Sequence, residues 1–159
     1  MFMSIEARLA EMGLALPAPP KPVAAYIPCV RTGNLVVISG QLPFAAGKLL
    51  ATGKVPSAVD LEQAQECAKQ CVLNGLAILK AELGDDLSKV AKVVRIGVFV
   101  QSENDYYDQP QVANGASQLL VDLLGPAGRH ARAAVGVNAL PLNAPVEVEF
   151  TFEVVGELI

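Results

Sequence analysis

Histidine occurs once in this sequence, at His130, and cysteine three times, at Cys29, Cys67 and Cys71. A structural zinc site takes about four ligands of these types. Cys67-x-x-x-Cys71 is therefore read as a pair of small, reduced, buried apolar residues on one helix, and no metal is expected. Runs of Lys or Arg are also missing, and the net charge is −4. Without a basic patch to displace phosphate counterions, a non-specific nucleic-acid binder is disfavoured. No apolar stretch reaches the roughly 18 residues that would span a bilayer. Residues 1–12 carry Glu6, Arg8 and Glu11 within their apolar pattern. They are expected to form a short amphipathic helix and not a signal peptide, which with unpaired thiols points to the cytoplasm.

Charged residues make up only 18% of the chain against 52% hydrophobic ones. Large exposed apolar patches are rare on monomers, so part of this surplus is expected to cover a subunit interface. At 159 residues the chain is long enough for one domain with a real core. The division expected is a helix and Pro-rich lead-in over 1–22, followed by one domain over 23–159.

Periodicity supplies the elements. Residues 24–32 and 34–39 read as strands around a tight Thr32-Gly33-Asn34 turn. The continuous run Val36-Val37-Ile38 suggests a strand covered on both faces. A further short strand is expected near residues 48–51. Asp60 with Gln63 forms a capping-box pattern, and helical spacing continues from Leu61 to Gly84. Val90 to Gln101 reads as a strand too apolar to face water on either side. Asp108 and Pro110 open a second helix with a stripe of Val112, Ala116, Leu119, Leu120 and Leu123, which Gly125-Pro126 ends. The order β-β-(β)-α-β-α-β-β gives an α+β sandwich with one sheet and two long helices on one face. Little is left to cover the other face, and self-association is the economical cover.

The stretch Arg129 to Phe152 contains two runs that alternate with period two. In the second, Val146, Val148, Phe150, Phe152 and Val154 share a face opposite Glu147, Glu149, Thr151 and Glu153. In the first, Arg132 shares a face with Ala134 and Gly136, small residues that leave space before a cation. A guanidinium fork matches two carboxylate oxygens, so Arg132 is a candidate anion holder; a solvated, edge-protecting strand arginine is the alternative. His130, two residues earlier, is a candidate proton shuttle or an exposed loop side chain. Tyr106 and Tyr107 read as lid aromatics or as packing residues.

The segments Arg31-Thr-Gly-Asn-Leu-Val-Val-Ile-Ser-Gly-Gln-Leu-Pro43, Val90–Val100, and Ala131-Arg132-x-x-Val135-x-Val137-x-x-Leu140-Pro141 followed by Val146-Glu-Val-Glu149 resemble the RidA/YjgF family in order and spacing. Older descriptions call these proteins L-PSP endoribonucleases. The resemblance implies a chorismate-mutase-like (ferredoxin-like) fold, a homotrimer and ligand clefts between subunits. It implies hydrolysis of 2-imino acids to 2-oxo acids and ammonia, with no metal or organic cofactor. By the resemblance Arg132 grips the substrate carboxylate and Glu147 holds or activates water. Tyr26, at the start of the first strand, and the backbone of Gly40 line the cleft. Ala134 joins them, where the deaminases often have Cys or Ser. His130 stands where Pro is common, and residues 106–118 hold an extra turn or two. Three functions follow: an imine deaminase or related hydrolase of small carboxylates, a non-catalytic binder of small carboxylic acids, and the endoribonuclease of the older name. The acidic charge weighs against the last.

Overall fold

The computed structural model describes residues 3–21 and 25–156. Its elements run α1 (Ile5–Glu11), β1 (Cys29–Thr32), β2 (Leu35–Gln41), β3 (Phe44–Ala45), β4 (Lys48–Leu49), α2 (Leu61–Glu82), β5 (Val90–Gln101), α3 (Gln109–Leu124), β6 (Ala131–Val137) and β7 (Val146–Val154). Five strands form one mixed sheet in the order β1-β2-β7-β5-β6, and β3 pairs with β4 in a separate small hairpin. Within the large sheet β5 and β6 are parallel and the other pairs antiparallel. The chain is thus the α+β sandwich expected, with one mixed sheet and two long helices.

The local reasons are visible in the capping and burial. Gln63 N donates to Asp60 Oδ1 at 2.8 Å, and Asp60 N donates to Gln63 Oε1 at 3.1 Å, so the capping box is formed. Gly84, at φ 68°, takes the left-handed conformation that ends α2. Asp108 stands at the start of α3 without a side-chain cap bond, and Pro110 occupies the first turn, where a missing N–H costs little. Cys67 and Cys71 lie buried on α2. Burial pushes the Cys67 thiol up to about 11 and that of Cys71 further.

Alternate residues of β2, β5 and β7 make the core: Val36 and Ile38; Ile96, Val98 and Val100; and Val146, Val148, Phe150, Phe152 and Val154 are all buried. The opposite face is open. Val37 is 44% exposed, and Val30, Leu35 and Val135 are exposed with it, while Val94 and Phe99 are half-buried. The reading of Val36–Ile38 and Val90–Gln101 as strands covered on both faces therefore needs correction for the single chain. The two long helices suffice for only one side of the sheet.

One boundary also differs. The first strand was expected from Ala24, which lies outside the described residues, as do Met1, Phe2 and Pro22. Among the described residues it starts at Cys29, because Pro28 has no N–H for a ladder, although its carbonyl accepts from Ser39 N at 2.9 Å. Tyr26 accordingly precedes the strand. The last two strands, consecutive in sequence, are not neighbours: β5 lies between them.

Candidate functional site

Where β2 ends, its ladder with β7 is irregular between Ile38 and Gln41, and Gly40 sits in that bulge. A Cβ at Gly40 would strike the Glu147 carboxylate, whose Cδ would lie 2.9 Å away. Only glycine lets Glu147 lie across β2 here. Beside this crossing is a cavity of about 480 Å³ lined by Lys21, Tyr26, Gly40, Phe44, Asn74 and Glu147, among others, and closed on one side by the lead-in through Pro17 and Pro20. Asn74 shapes its wall. This buried amide donates to the carbonyls of Leu42 and Phe44, each at 3.0 Å, and accepts from Gln70 Nε2 at 3.0 Å. Gln41 Nε2 donates to Ser39 O at 2.8 Å, and Ser39 Oγ to Ile27 O at 2.9 Å, which ties β2 to the segment carrying Tyr26.

Burial, with the like charge of Glu149 second, raises the Glu147 carboxyl above the ordinary carboxylate range. The cause is chiefly desolvation of the charged form in an apolar recess. Such a group is a better proton acceptor than an exposed glutamate. Tyr26, 61% exposed, stands at the cavity mouth.

Arg132 and Ala134 are elsewhere. The parallel register pairs Ile96 with Arg132, Val98 with Ala134 and Val100 with Gly136. Since Ile96, Val98 and Val100 face the helices, so do their partners. Ala134 packs against the core, and a Cβ on Gly136 would come within 2.7 Å of Gln109 Nε2 and Ser102 Oγ. Arg132 reaches α3, where Nη1 donates to Asn114 Oδ1 at 2.8 Å and to Ser117 Oγ at 3.1 Å. Among the described residues no carboxylate lies within ion-pair distance of it. Glu147 belongs to the opposite face of β7, paired with Phe99 across β5. One chain therefore brings Tyr26, Gly40 and Glu147 together and holds Arg132 and Ala134 apart from them.

His130 differs from the exposed loop side chain considered above. It is half-buried, with Nδ1 2.6 Å from Gly128 O and Nε2 2.9 Å from Ser117 Oγ. Tyr106 packs against the core, its hydroxyl buried and without a hydrogen-bond partner among the described residues, and Tyr107 is 78% exposed. Neither lines the cavity. Sequence reasoning missed Asn74, Lys21, Asn114 and Ser117. Asn74 left one signal, an amide inside the apolar run of α2. Asn114 and Ser117 left none, because their role depends on β6 running parallel to β5 beneath α3.

Comparison with known proteins adds a family. Residues 6–154 match the family model described as "YjgF/chorismate mutase-like, putative endoribonuclease". The chain is 39% identical to Protein TCP17 of Trypanosoma cruzi over 94% of this chain and 93% of that one. It is 29% identical to a 2-iminobutanoate/2-iminopropanoate deaminase of Dermatophagoides farinae, covering 86% and 91%. Among solved structures, protein Atu1372 of Agrobacterium tumefaciens, of unknown function, superposes with a TM-score of 0.88 at 45% identity, covering 94% of this chain and 91% of that one.

Proposed function

The chain belongs to the YjgF/chorismate mutase-like family, which includes the RidA proteins, and from that premise we propose that it hydrolyses small 2-imino carboxylates at a cleft shared between copies. The observation that carries this reading is the half-buried Glu147, its carboxyl raised, lying over Gly40 in a cavity large enough for a small metabolite. An imine carbon is already electrophilic, so the protein need supply only a placed water, a proton acceptor and an anchor for the carboxylate.

The imine enters protonated on nitrogen. Glu147 takes a proton from water as the water oxygen bonds to the imine carbon and the C=N π pair moves to nitrogen, giving a neutral carbinolamine. Glu147 returns that proton to the nitrogen, and the C–N bond breaks with its pair leaving on ammonia. Glu147 then takes the hydroxyl proton as the C=O of the 2-oxo acid forms, later passing it to the ammonia or to solvent. No redox step or metal enters this balance. Arg132 is the carboxylate anchor, and because it faces α3 on the far side of its own sheet it must come from a neighbouring copy. A homotrimer whose open sheet faces pack together supplies that neighbour and covers the exposed Val30, Leu35 and Val37. Ala134, packed beneath α3, stands beside the anchor and shapes the space before it.

The net charge of −4 weighs against the RNA cleavage named in the family description. The test is hydrolysis of 2-iminobutanoate generated in situ, followed by release of 2-oxobutanoate. Wild-type protein should accelerate it and Glu147→Gln should not. A wild-type rate equal to the uncatalysed one overturns catalysis. Retained binding of 2-oxobutanoate in that case would favour the binding-only alternative.

A further inference from the structure

We propose that Asn114, Ser117 and His130 are positioning residues that fix the orientation of the Arg132 guanidinium and dictate the edge by which a carboxylate reaches it. This rests on the carboxylate-anchoring role given to Arg132 above and adds what sets its geometry. A guanidinium carries five N–H donors in a rigid plane. A carboxylate meets it bidentately either end-on, through Nη1 and Nη2, or side-on, through Nε and Nη2. Here Nη1 is occupied twice, donating to Asn114 Oδ1 at 2.8 Å and to Ser117 Oγ at 3.1 Å. End-on capture would have to break one of these bonds. The Nε–Nη2 edge has no hydrogen-bond acceptor among the described residues, so the side-on approach is the one left open.

The two acceptors are themselves held. Asn114 and Ser117 are three residues apart on α3 and share a face of the helix. A mid-helix serine usually turns its hydroxyl back to a carbonyl of its own helix. At Ser117 the hydroxyl is diverted. His130 Nδ1 lies 2.6 Å from Gly128 O, which only accepts, so Nδ1 carries the ring proton. With Nδ1 the donor, the Nε2 lone pair of this tautomer faces Ser117 Oγ at 2.9 Å and accepts the serine proton in a hydrogen bond. That orientation turns the oxygen lone pairs toward Arg132. The relay runs from a backbone carbonyl through imidazole and hydroxyl to guanidinium.

Its base is fixed by packing. A Cβ at Gly128 would strike the Leu120 carbonyl of α3, with the carbonyl carbon only 2.7 Å away, so this glycine lets the turn before β6 press against the helix. The network therefore spans α3, the turn and β6, and the arginine is prepared before any ligand arrives. Preparation of this kind lowers the ordering cost of binding.

The experiment reads the guanidinium directly, by ¹⁵N NMR of arginine side chains in the intact protein without ligand, with Arg132→Lys identifying the Arg132 signals by their loss. Wild-type protein should show separate Nη1 and Nη2 resonances from hindered rotation. Ser117→Ala and Asn114→Ala should merge them, His130→Ala should broaden them, and Ser117→Thr, which keeps the hydroxyl, should restore them. In parallel, calorimetry with 2-oxobutanoate should show affinity weakened roughly tenfold by Ser117→Ala and regained with Ser117→Thr. Freely averaging Arg132 signals in the wild type, or signals unmoved by Ser117→Ala and Asn114→Ala, would overturn the positioning network. Hindered signals that respond as expected, in a wild-type protein that binds no 2-oxo acid, would uphold the network and remove the carboxylate role instead.

Discussion

Around Glu147 the protein encloses space. The lead-in, the entry to β1, the β3–β4 hairpin and Asn74 converge there on a recess of about 480 Å³, and the carboxyl inside is raised by its surroundings. Around Arg132 the protein does the reverse, leaving the guanidinium exposed at the sheet edge with one nitrogen engaged by neutral acceptors. An enclosed carboxylate makes a base but repels an anionic substrate. An exposed guanidinium attracts anions but grips weakly while water competes. Each region has what the other lacks. Neither is a complete site for a small carboxylate, and this difference is what the proposed cleft between copies would join.

The two regions separate most clearly when each is damaged in a different chain. Arg132→Ala and Glu147→Gln should each lower kcat/KM for the imine by about a hundredfold or more, with melting temperature little changed. Co-refolded as an equimolar mixture, the two should recover about a quarter of wild-type activity, the fraction of shared clefts that receive both native residues. No recovery would mean that each chain supplies its whole site alone. Light scattering at micromolar concentration should meanwhile give about three chains per particle.

Smaller effects separate the walls of the cavity from its carboxylate. Gly40→Ala would push Glu147 off β2 and should cost about tenfold in hydrolysis while sparing the fold. Asn74→Ala would remove a donor from the carbonyls of Leu42 and Phe44 and should destabilise the protein by about 1–3 kcal/mol in denaturant titrations. The least effect is the pH signature of Glu147. A raised carboxyl binds its proton more tightly in the folded state, so stability falls as pH rises through the interval between its ordinary and raised values. Glu147→Gln should therefore melt slightly above wild type at neutral pH, and the gap should close below the ordinary glutamate range. Catalysis has the opposite trend, since protonation removes the base: the rate should fall as pH drops through the raised value.

Much of the fold was legible because single physical patterns decided it. The Asp60–Gln63 box started α2 where the sequence placed it, and the apolar run from Val90 to Gln101 became β5 with the same bounds. The alternation in Val146–Val154 became one buried face. Order within the sheet was not legible, since period-two patterns say which side of a strand is buried but not which strand lies beside it. That gap hid the placement of Arg132. Its face is set by pairing with Ile96, a partner 36 positions away that no local signal names. The cavity was half legible, through Tyr26, Gly40 and Glu147, whereas Lys21 entered it only because the Pro-rich lead-in lines the same cavity as the end of β2.

The parallel seating of β6 also has a kinetic side. An outermost strand that pairs parallel must wait for its crossover, here α3, before its ladder can form. Its contacts are long-range and on one side only, so it should join the sheet late and open first. Amide hydrogen exchange should accordingly find the Ala131–Val137 backbone less protected than that of β7, with the gap narrowing when a carboxylate or a neighbouring copy engages it. A partly folded chain could then hold the β2-β7-β5 core and its cavity while lacking the proposed anchor altogether. Anion capture would be the last competence the molecule gains on folding and the first it loses on warming.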